Sequence, residues 1–207
     1  MATTRTRSAG RIGASGNGNG NGKGSASPRY ARLGAEVHRF GTVVDLPIDL
    51  EAPARAKSCE LLNEILADST ILYALYKKHH WSATGPTFYQ LHLLFDKHAE
   101  EQQELIDMLA ERVQMLGGIA VGDPRHAAEL TTVERAPDGA EDVPAMLTRL
   151  LEAHREIIGK VRKGIEATEK SKDWGTNDLL MGDVLRRHEM QVWVVAEHLV
   201  DLPLTGG

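Results

Sequence analysis

Five side chains of the types that bind hard or borderline metal ions are close together in the sequence. They are His80, His92, Asp96, Asp107 and Glu111. Imidazole nitrogens and carboxylate oxygens bind Fe(II) well, and a site with few protein ligands keeps coordination positions open for water and an oxidant. Such a set could pass electrons from one or two Fe(II) ions to hydrogen peroxide or dioxygen. Carboxylates then favour the harder Fe(III), which hydrolyses and can move to an acidic wall.

Four of these residues form two pairs on one predicted helix. His92 and Asp96 are four residues apart, as are Asp107 and Glu111, so each pair projects from one helix face with a spacing of about 6 Å. At a rise of about 1.5 Å per residue, His92 is roughly 22 Å from Asp107, so a straight helix cannot close both pairs around one ion. Two arrangements remain. Each chain holds two half-built sites, or an antiparallel helix of a second subunit completes both sites across a twofold axis.

Each residue alone has a simpler interpretation. An isolated histidine on an amphipathic helix is usually a surface residue or a hydrogen-bonded core residue, and Asp107 with Glu111 could form a solvated acidic face. The joint pattern favours the metal site. His80 stands beside Trp81 at the predicted end of the preceding helix, where a short turn returns it to the start of the long helix.

The long helix is predicted to begin at Pro86 or Thr87 and to end at Leu116. Apolar residues recur along it at intervals of three and four, which is the period of an amphipathic helix. Gly117 and Gly118 follow directly and are typical of a helix C-terminus. This helix therefore carries both ligand pairs.

The other main helices are predicted from their start and stop signals. Asp49 is the expected N-cap of the first helix, which ends at about Ala83. The third helix is expected over residues 140–170. The last helix is expected to begin at a cap formed by Thr176 or Asn177. The chain is thus predicted to be all-α.

The stretch around the ligand set carries a wider pattern: HW, GP, F, LH and FD, then after ten residues D, and then AER. This pattern resembles the signature of the Dps family (DNA-binding protein from starved cells, the miniferritins), and is closest to cyanobacterial-type members. The resemblance is close over residues 61–122 and looser over the remaining helices. The first 50 residues lie outside it.

The resemblance implies a ferritin-like four-helix bundle with a short extra helix between the second and third helices, twelve copies of which close a hollow shell. It implies that His80, His92 and Asp96 of one subunit and Asp107 and Glu111 of its twofold mate form an intersubunit ferroxidase centre. Hydrogen peroxide is the family's usual oxidant, and a ferric oxide core is stored in the cavity. Removal of both Fe(II) and hydrogen peroxide, the two Fenton reactants, protects DNA in the family. Zn²⁺ is expected to compete for the same ligands.

The connection between the second and third helices agrees with that fold. Asp123 as an N-cap and Pro124 at the first helical position predict one short helix within it. A connection of this length lets the second and third helices run in the same direction, as in ferritin-like bundles. No Glu-x-x-His pair occurs on a predicted helix, which argues against the intrasubunit di-iron centre of ferritins.

Four residues beside the ligand set have two interpretations each. By resemblance, Trp81 is a catalytic residue near the iron that takes up oxidising equivalents, whereas its type alone favours a core or interface aromatic. His188 has a counterpart in some cyanobacterial relatives and is a candidate supplementary ligand; the alternative is a buried, hydrogen-bonded histidine. Both His79 and His98 are expected on solvated or interface faces rather than on the metal, because Lys77, Lys78 and Lys97 are their neighbours.

The last helix departs from the family pattern by one residue. When Asp178 is aligned with the acidic start of that helix, Trp193 falls one residue late. The candidates for an acidic iron-entry pore on a threefold axis are Asp173, Asp178 and Asp183, since acidic rings concentrate cations.

Residues 1–35 differ in composition from the rest of the chain. Gly, Asn, Ser and Ala dominate, so disorder is expected. The segment has no acidic residue and carries +6, which leaves −11 for the remainder of a chain with net charge −5. Such a tail attracts DNA phosphates without sequence preference, although the acidic body opposes this; a solubilising tail is the alternative. The basic residues are Arg5, Arg7, Arg11, Lys23, Arg29 and Arg32.

The composition further limits the class of protein. The chain has 207 residues, 42% of them hydrophobic, which suits one domain. It has no apolar run that could span a bilayer and no secretory signal, and its lone Cys59 allows no internal disulfide, so a cytoplasmic, nucleoid-associated protein is expected. We divide the chain into a disordered tail (1–35), an extended arm (36–50), the bundle (51–202) and a short C-terminal tail (203–207).

Two other functions remain open from the sequence. The chain could be mainly a nucleoid structural protein that compacts DNA through its basic tail. It could also be a non-catalytic helical assembly protein, which would require the five ligand types to match the pattern by accident.

Overall fold

The structure is a computed structural model that describes residues 34–200 of the chain. Within this range it contains helices and connecting segments without a strand, which confirms the all-α prediction. None of the helices described in this range is both long enough and apolar enough to cross a membrane. The predictions for the basic tail, including its six Arg and Lys residues, and for residues 203–207 lie outside the described residues.

Four long helical segments form the body of the protein. The first three are single helices, whereas the last contains a π-helical turn between two α-helices. The bounds are α1 Ala52–Ser82, α2 Phe88–Met115, α3 Pro124–Leu130, α4 Val143–Lys170, α5 Trp174–Leu179, the π-helical turn Leu180–Leu185, and α6 Arg186–Glu197.

The core lies between these segments and is formed by their apolar stripes. α1 packs against α2, α3 and α4, and α4 packs against the last segment. Burial of each large aliphatic side chain stabilises the fold by about 1.5–3 kcal/mol. Fully buried examples are Leu62, Leu66, Leu91, Leu105, Leu109, Leu150 and Ile157.

Local caps set the start of two helices, and the first of these caps was predicted. The carboxylate of Asp123 accepts a hydrogen bond from the backbone N–H of Arg125, and Pro124 occupies the first turn of α3. Asp142 caps α4 in the same way through the N–H of Ala145. Both caps satisfy backbone donors that have no partner inside the helix.

Two predicted caps were wrong. Asp49 has a φ of +52° and lies before the cap position, which is Glu51 and makes no side-chain cap. The last helix begins at Trp174, not after Thr176, because Asp173 is its N-cap and accepts from the Thr176 hydroxyl at 2.6 Å. That carboxylate is buried, and Arg112 of α2 donates to it at 2.7 Å, which offsets the cost of burying its charge.

The side chain of Arg55 ties the start of α1 to neighbouring segments of the chain. Its guanidinium donates to the carbonyl of Leu50 at 3.0 Å, to that of Val44 at 2.5 Å and to that of Leu116 at 3.1 Å. One cation therefore joins residues before α1 to the end of α2. Val44 also donates its N–H to the carbonyl of Gly117 at 2.8 Å.

Gly117 is required at the end of α2 for two reasons. Its φ is +82°, and a Cβ atom there would lie 2.6 Å from the carbonyl oxygen of Val44. We expect Gly117→Ala to lower the free energy of unfolding by about 1–3 kcal/mol, measured by thermal or denaturant unfolding. Gly159→Ala in α4 is the control, because a Cβ there meets nothing within 4 Å. That change should be neutral or stabilising by up to about 1 kcal/mol, and an equal loss in both variants would contradict the argument.

Candidate metal site

The turn between α1 and α2 brings two histidines into contact. His80 lies in the last turn of α1 and His92 in the second turn of α2. Their ring centroids are 3.8 Å apart and their planes differ by 18°. Gly85 between them has a φ of +94°, which the short connection needs to reverse the chain. The two helices therefore position the rings as a stacked pair.

The hydrogen bonds of this pair define which nitrogen is free. Nδ1 of His80 lies 2.7 Å from the carbonyl oxygen of His92, and Nδ1 of His92 lies 2.9 Å from that of His80. A carbonyl oxygen only accepts, so both Nδ1 atoms carry the proton. Each Nε2 then has a lone pair. Metal-binding histidines commonly make this kind of bond through their other nitrogen, which fixes the tautomer and the ring orientation.

Asp96 is the third predicted ligand residue at this place. It follows His92 by one helical turn, and its Oδ1 is 3.9 Å from Nδ1 of His80. Lys77 of α1 donates a hydrogen bond to the same carboxylate, which is the main reason that the pKa of Asp96 is lowered. The carboxylate is about 40% exposed, so it is open to solvent ions. Two imidazoles and one ionised carboxylate thus lie together.

The structure does not bring Asp107 and Glu111 to this place. Both side chains are exposed on the surface of α2, four residues apart. A groove of about 560 Å³ runs beside Asp107, with Glu100, Gln103 and Glu104 among its lining residues. Within residues 34–200 of a single chain, no group of three or more His, Cys, Asp or Glu side chains has the geometry to hold a metal ion.

Trp81 keeps two of its predicted positions, at an interface or beside the iron, and loses the third, in the core. Its side chain is 73% exposed, so it does not belong to the core of the protomer. Phe88, Tyr89 and Leu93 are also exposed near the start of α2. Contiguous exposed apolar side chains of this size are typical of surfaces that contact another chain.

The prediction that His79 and His98 lie on solvated or interface faces was wrong. His79 is fully buried against Phe95, with ring centroids 6.3 Å apart. His98 is 2% exposed and contacts the hydroxyl of Tyr76. Burial lowers the pKa of each to about 4. The sequence did indicate that His79 is buried, because His79 follows Leu72 and Tyr76 at helical spacing. Our interpretation gave more weight to the neighbouring lysines.

The predicted alternative for His188 is confirmed. The ring is fully buried, and its Nδ1 lies 2.8 Å from Nδ1 of His154. Sequence reasoning did not join His188 to His154 or to Tyr76. Only the contact between α4 and α6 could show this buried group.

One candidate for the iron-entry pore is excluded in the protomer. The carboxylate of Asp173 is 1% exposed and bonded to Arg112, so it cannot face a channel without breaking that pair. Asp178 and Asp183 are exposed and stay predictions.

The comparisons with known proteins agree with the fold. The family model described as a ferritin-like domain matches residues 59–205. The chain is 62% identical to an uncharacterized protein of Kitasatospora aureofaciens over 138 residues, which are 67% of this chain and 92% of that protein. It is 33% identical to the nutrient stress-induced DNA-binding protein of Nostoc sp., over 83% of this chain and 92% of that protein.

A solved structure gives the same result. DpsC from Streptomyces coelicolor superposes with a TM-score of 0.82 at 58% identity, over 83% of this chain and 100% of that chain. The four-helix bundle and these matches define a ferritin-like protein. The chain belongs to the Dps family.

Proposed function

We propose that this chain is a miniferritin that oxidises Fe(II) with hydrogen peroxide, or with dioxygen, at ferroxidase centres shared between subunits. Fe(III) is then stored in the cavity of a dodecameric shell, and DNA is protected from the products of iron and peroxide. The observation that carries this proposal is the stacked pair of His80 and His92. Both Nδ1 protons are committed to carbonyl groups, so the two free Nε2 atoms are ready to bind a cation.

The shared centre follows from the length of α2. Since Asp107 lies about 22 Å and Glu111 about 28 Å along α2 from His92, they cannot reach the ion held by their own chain. An antiparallel α2 of a second subunit places Asp107 and Glu111 of the partner subunit opposite His80, His92 and Asp96. The exposure of both carboxylates and of Trp81 in the protomer supports such a contact.

In this proposal Fe(II) is the substrate, and each side chain has a distinct role. The two imidazoles bind it through Nε2, and the Asp96 carboxylate binds it in place of the Lys77 ammonium. Two Fe(II) ions reduce one hydrogen peroxide, with two protons, to two waters. The carboxylates of Asp107 and Glu111 favour the more highly charged Fe(III) product. Zn²⁺ binds the same nitrogen and oxygen ligands without redox chemistry, so it inhibits by competition.

Anomalous scattering from an iron-soaked crystal tests the assignment. We expect a peak within about 2.0–2.2 Å of an Nε2 of the histidine pair and of carboxylate oxygens from both subunits. The same soak of a His92→Gln, Asp96→Asn variant is the control and should lose the peak. Iron bound within one chain, or away from both groups, would contradict the shared centre.

DNA binding through the tail is a second candidate function. The +6 charge before Glu36 supports it, as does the DNA-binding description of the Nostoc relative. We expect deletion of residues 1–32 to abolish retardation of DNA in gels at low salt while iron oxidation is kept. A full-length variant with glutamine at the six basic positions controls for tail length. DNA retardation by that variant, or a retardation of the wild type that does not weaken with salt, would exclude a charge-driven tail contact.

A further inference from the structure

Four polar aromatic side chains form a connected row in the centre of the bundle. Tyr76 comes from α1, His98 from α2, His154 from α4 and His188 from α6. The Tyr76 hydroxyl is 2.6 Å from Nε2 of His154 and 3.2 Å from Nδ1 of His98. Nδ1 of His154 is 2.8 Å from Nδ1 of His188. Each of the four is 0–2% exposed.

Stability does not explain such a row. Burial lowers the pKa of His154 well below its usual value and that of His188 to about 3, so both rings are neutral. Burial also raises the pKa of Tyr76, with a further contribution from Glu101. The Nε2 atom of His188 is buried without a hydrogen-bond partner. An apolar core of the same volume would avoid the cost of burying these groups.

The hydrogen bonds form a directed path for a proton. A neutral imidazole has one donor and one acceptor nitrogen. When Tyr76 donates to Nε2 of His154, the proton of His154 is on Nδ1 and is donated to Nδ1 of His188. The proton of His188 is then on Nε2, the atom without a partner. Transfer of the phenol proton along this row ends on His188, two rings away from the oxygen.

The π-helical turn contributes to this arrangement. It covers Leu180–Leu185 and ends three residues before His188. A π-helical turn takes up one residue more than an α-helical turn, so it rotates the residues that follow it. The ring of His188 thereby meets His154 in the core. Turns of this kind inside α-helices are frequent at functional sites.

Tyr76 is also close to the candidate metal site. It precedes His80 on α1 by four residues, a rise of about 6 Å. Phe95, which precedes the ligand residue Asp96, packs against the Tyr76 ring with centroids 6.1 Å apart. Tyr76 therefore lies one helical turn from the ligand residue His80, a separation over which an electron can move between side chains.

We infer that Tyr76 is a redox-active residue that reduces a one-electron oxidant formed at the metal site, with His154 as its proton acceptor and His188 as the end of the proton path. This inference rests on the proposed function. When a centre holds a single Fe(II), that ion and hydrogen peroxide give Fe(III), hydroxide and a hydroxyl radical. Tyr76 supplies the electron that converts the radical to a second hydroxide. Its proton passes to His154 as the Nδ1 proton of His154 passes to His188, which leaves a neutral tyrosyl radical and an imidazolium.

Freeze-quench electron paramagnetic resonance on the assembled full-length protein tests the electron donor. One Fe(II) per centre is mixed with hydrogen peroxide, and ring-deuterated tyrosine separates a tyrosyl signal from a tryptophanyl one. Tyr76→Phe should lose the tyrosyl signal, whereas the matched controls Tyr73→Phe and Tyr89→Phe should keep it. A signal that survives in Tyr76→Phe, or that disappears in either control instead, would overturn the inference.

A second variant tests the proton path. His154→Gln retains a group that accepts a hydrogen bond from Tyr76 but is not a base. We expect the radical yield to fall about tenfold and its formation in the wild type to be slower in D2O. Light scattering and thermal unfolding establish that the variant is folded and assembled. An unchanged yield in that folded variant would exclude His154 as the acceptor.

A photochemical oxidant separates this inference from the proposed function. If the wild type does not oxidise Fe(II) with peroxide, the proposed function fails. Flash-generated tris(bipyridine)ruthenium(III) then supplies the one-electron oxidant without iron. A tyrosyl radical in the wild type that is absent in Tyr76→Phe would support the row as a proton-coupled electron donor, and its absence from the wild type would overturn it.

Discussion

Replacing Asp107 and Glu111 by their amides, Asp107→Asn with Glu111→Gln, is expected to slow peroxide-dependent Fe(II) oxidation about a hundredfold while the shell still assembles. The amides keep the shape of each side chain but remove the negative charge that favours Fe(III). Both side chains are exposed in the protomer, so their loss leaves the core intact. The measurement is stopped-flow absorbance of Fe(III) formation, with light scattering for assembly.

The control for this double variant is a second exposed pair with the same spacing. Glu152 and Glu156 lie four residues apart on α4. Glu152→Gln with Glu156→Gln removes the same charge and should leave the rate unchanged. Equal rates in all three proteins would remove Asp107 and Glu111 from the site.

Mixing two inactive variants should restore activity, and this is the strongest test of a shared centre. One variant carries His92→Gln with Asp96→Asn, and the other carries Asp107→Asn with Glu111→Gln. Random pairing about a twofold axis makes half of the pairs mixed, and each mixed pair has one intact centre. About a quarter of all centres are therefore restored in the co-expressed protein.

The measurement compares oxidation rates after the two variants are co-expressed with different tags and purified through both. We expect about a quarter of the wild-type rate from the mixed assembly. Shells that assembled separately and were combined afterwards are the control and should stay inactive. A co-expressed assembly as slow as its components would show that each chain completes its own site.

Predictions from local signals succeeded more often than those that depend on distant contacts. The caps at Asp123 and Asp142 involve residues two or three positions away, and the first of them was predicted from Asp123 and Pro124 together. The cap at Asp173 is also made locally, with Thr176, but the burial of this carboxylate depends on Arg112, which is 61 residues away and could not be read from the sequence. The start of α1 was misplaced for a similar reason, since Arg55 ties it to the carbonyl of Leu116.

The register of the last helix shows what the structure adds. Sequence comparison left one extra residue between Asp178 and Trp193 without saying where it went. The π-helical turn at Leu180–Leu185 lies between them and accommodates one residue.

The candidate metal site was also predicted only in part. Spacing joined His92 to Asp96, whereas the hydrogen bonds that fix the tautomers of both histidines needed coordinates.

In the proposed function, metal uptake at Asp96 is an exchange of charges with Lys77. The ammonium is a tethered counter-ion, and its four-carbon stem keeps its local concentration at the carboxylate high and constant. A sodium or potassium ion offers no more charge than the group that it must displace, and it gains little from imidazole nitrogen. A divalent transition ion gains both charge and nitrogen ligands. Lys77 therefore disfavours the binding of sodium or potassium ions to the Asp96 carboxylate. It also keeps that carboxylate ionised until Fe(II) binds.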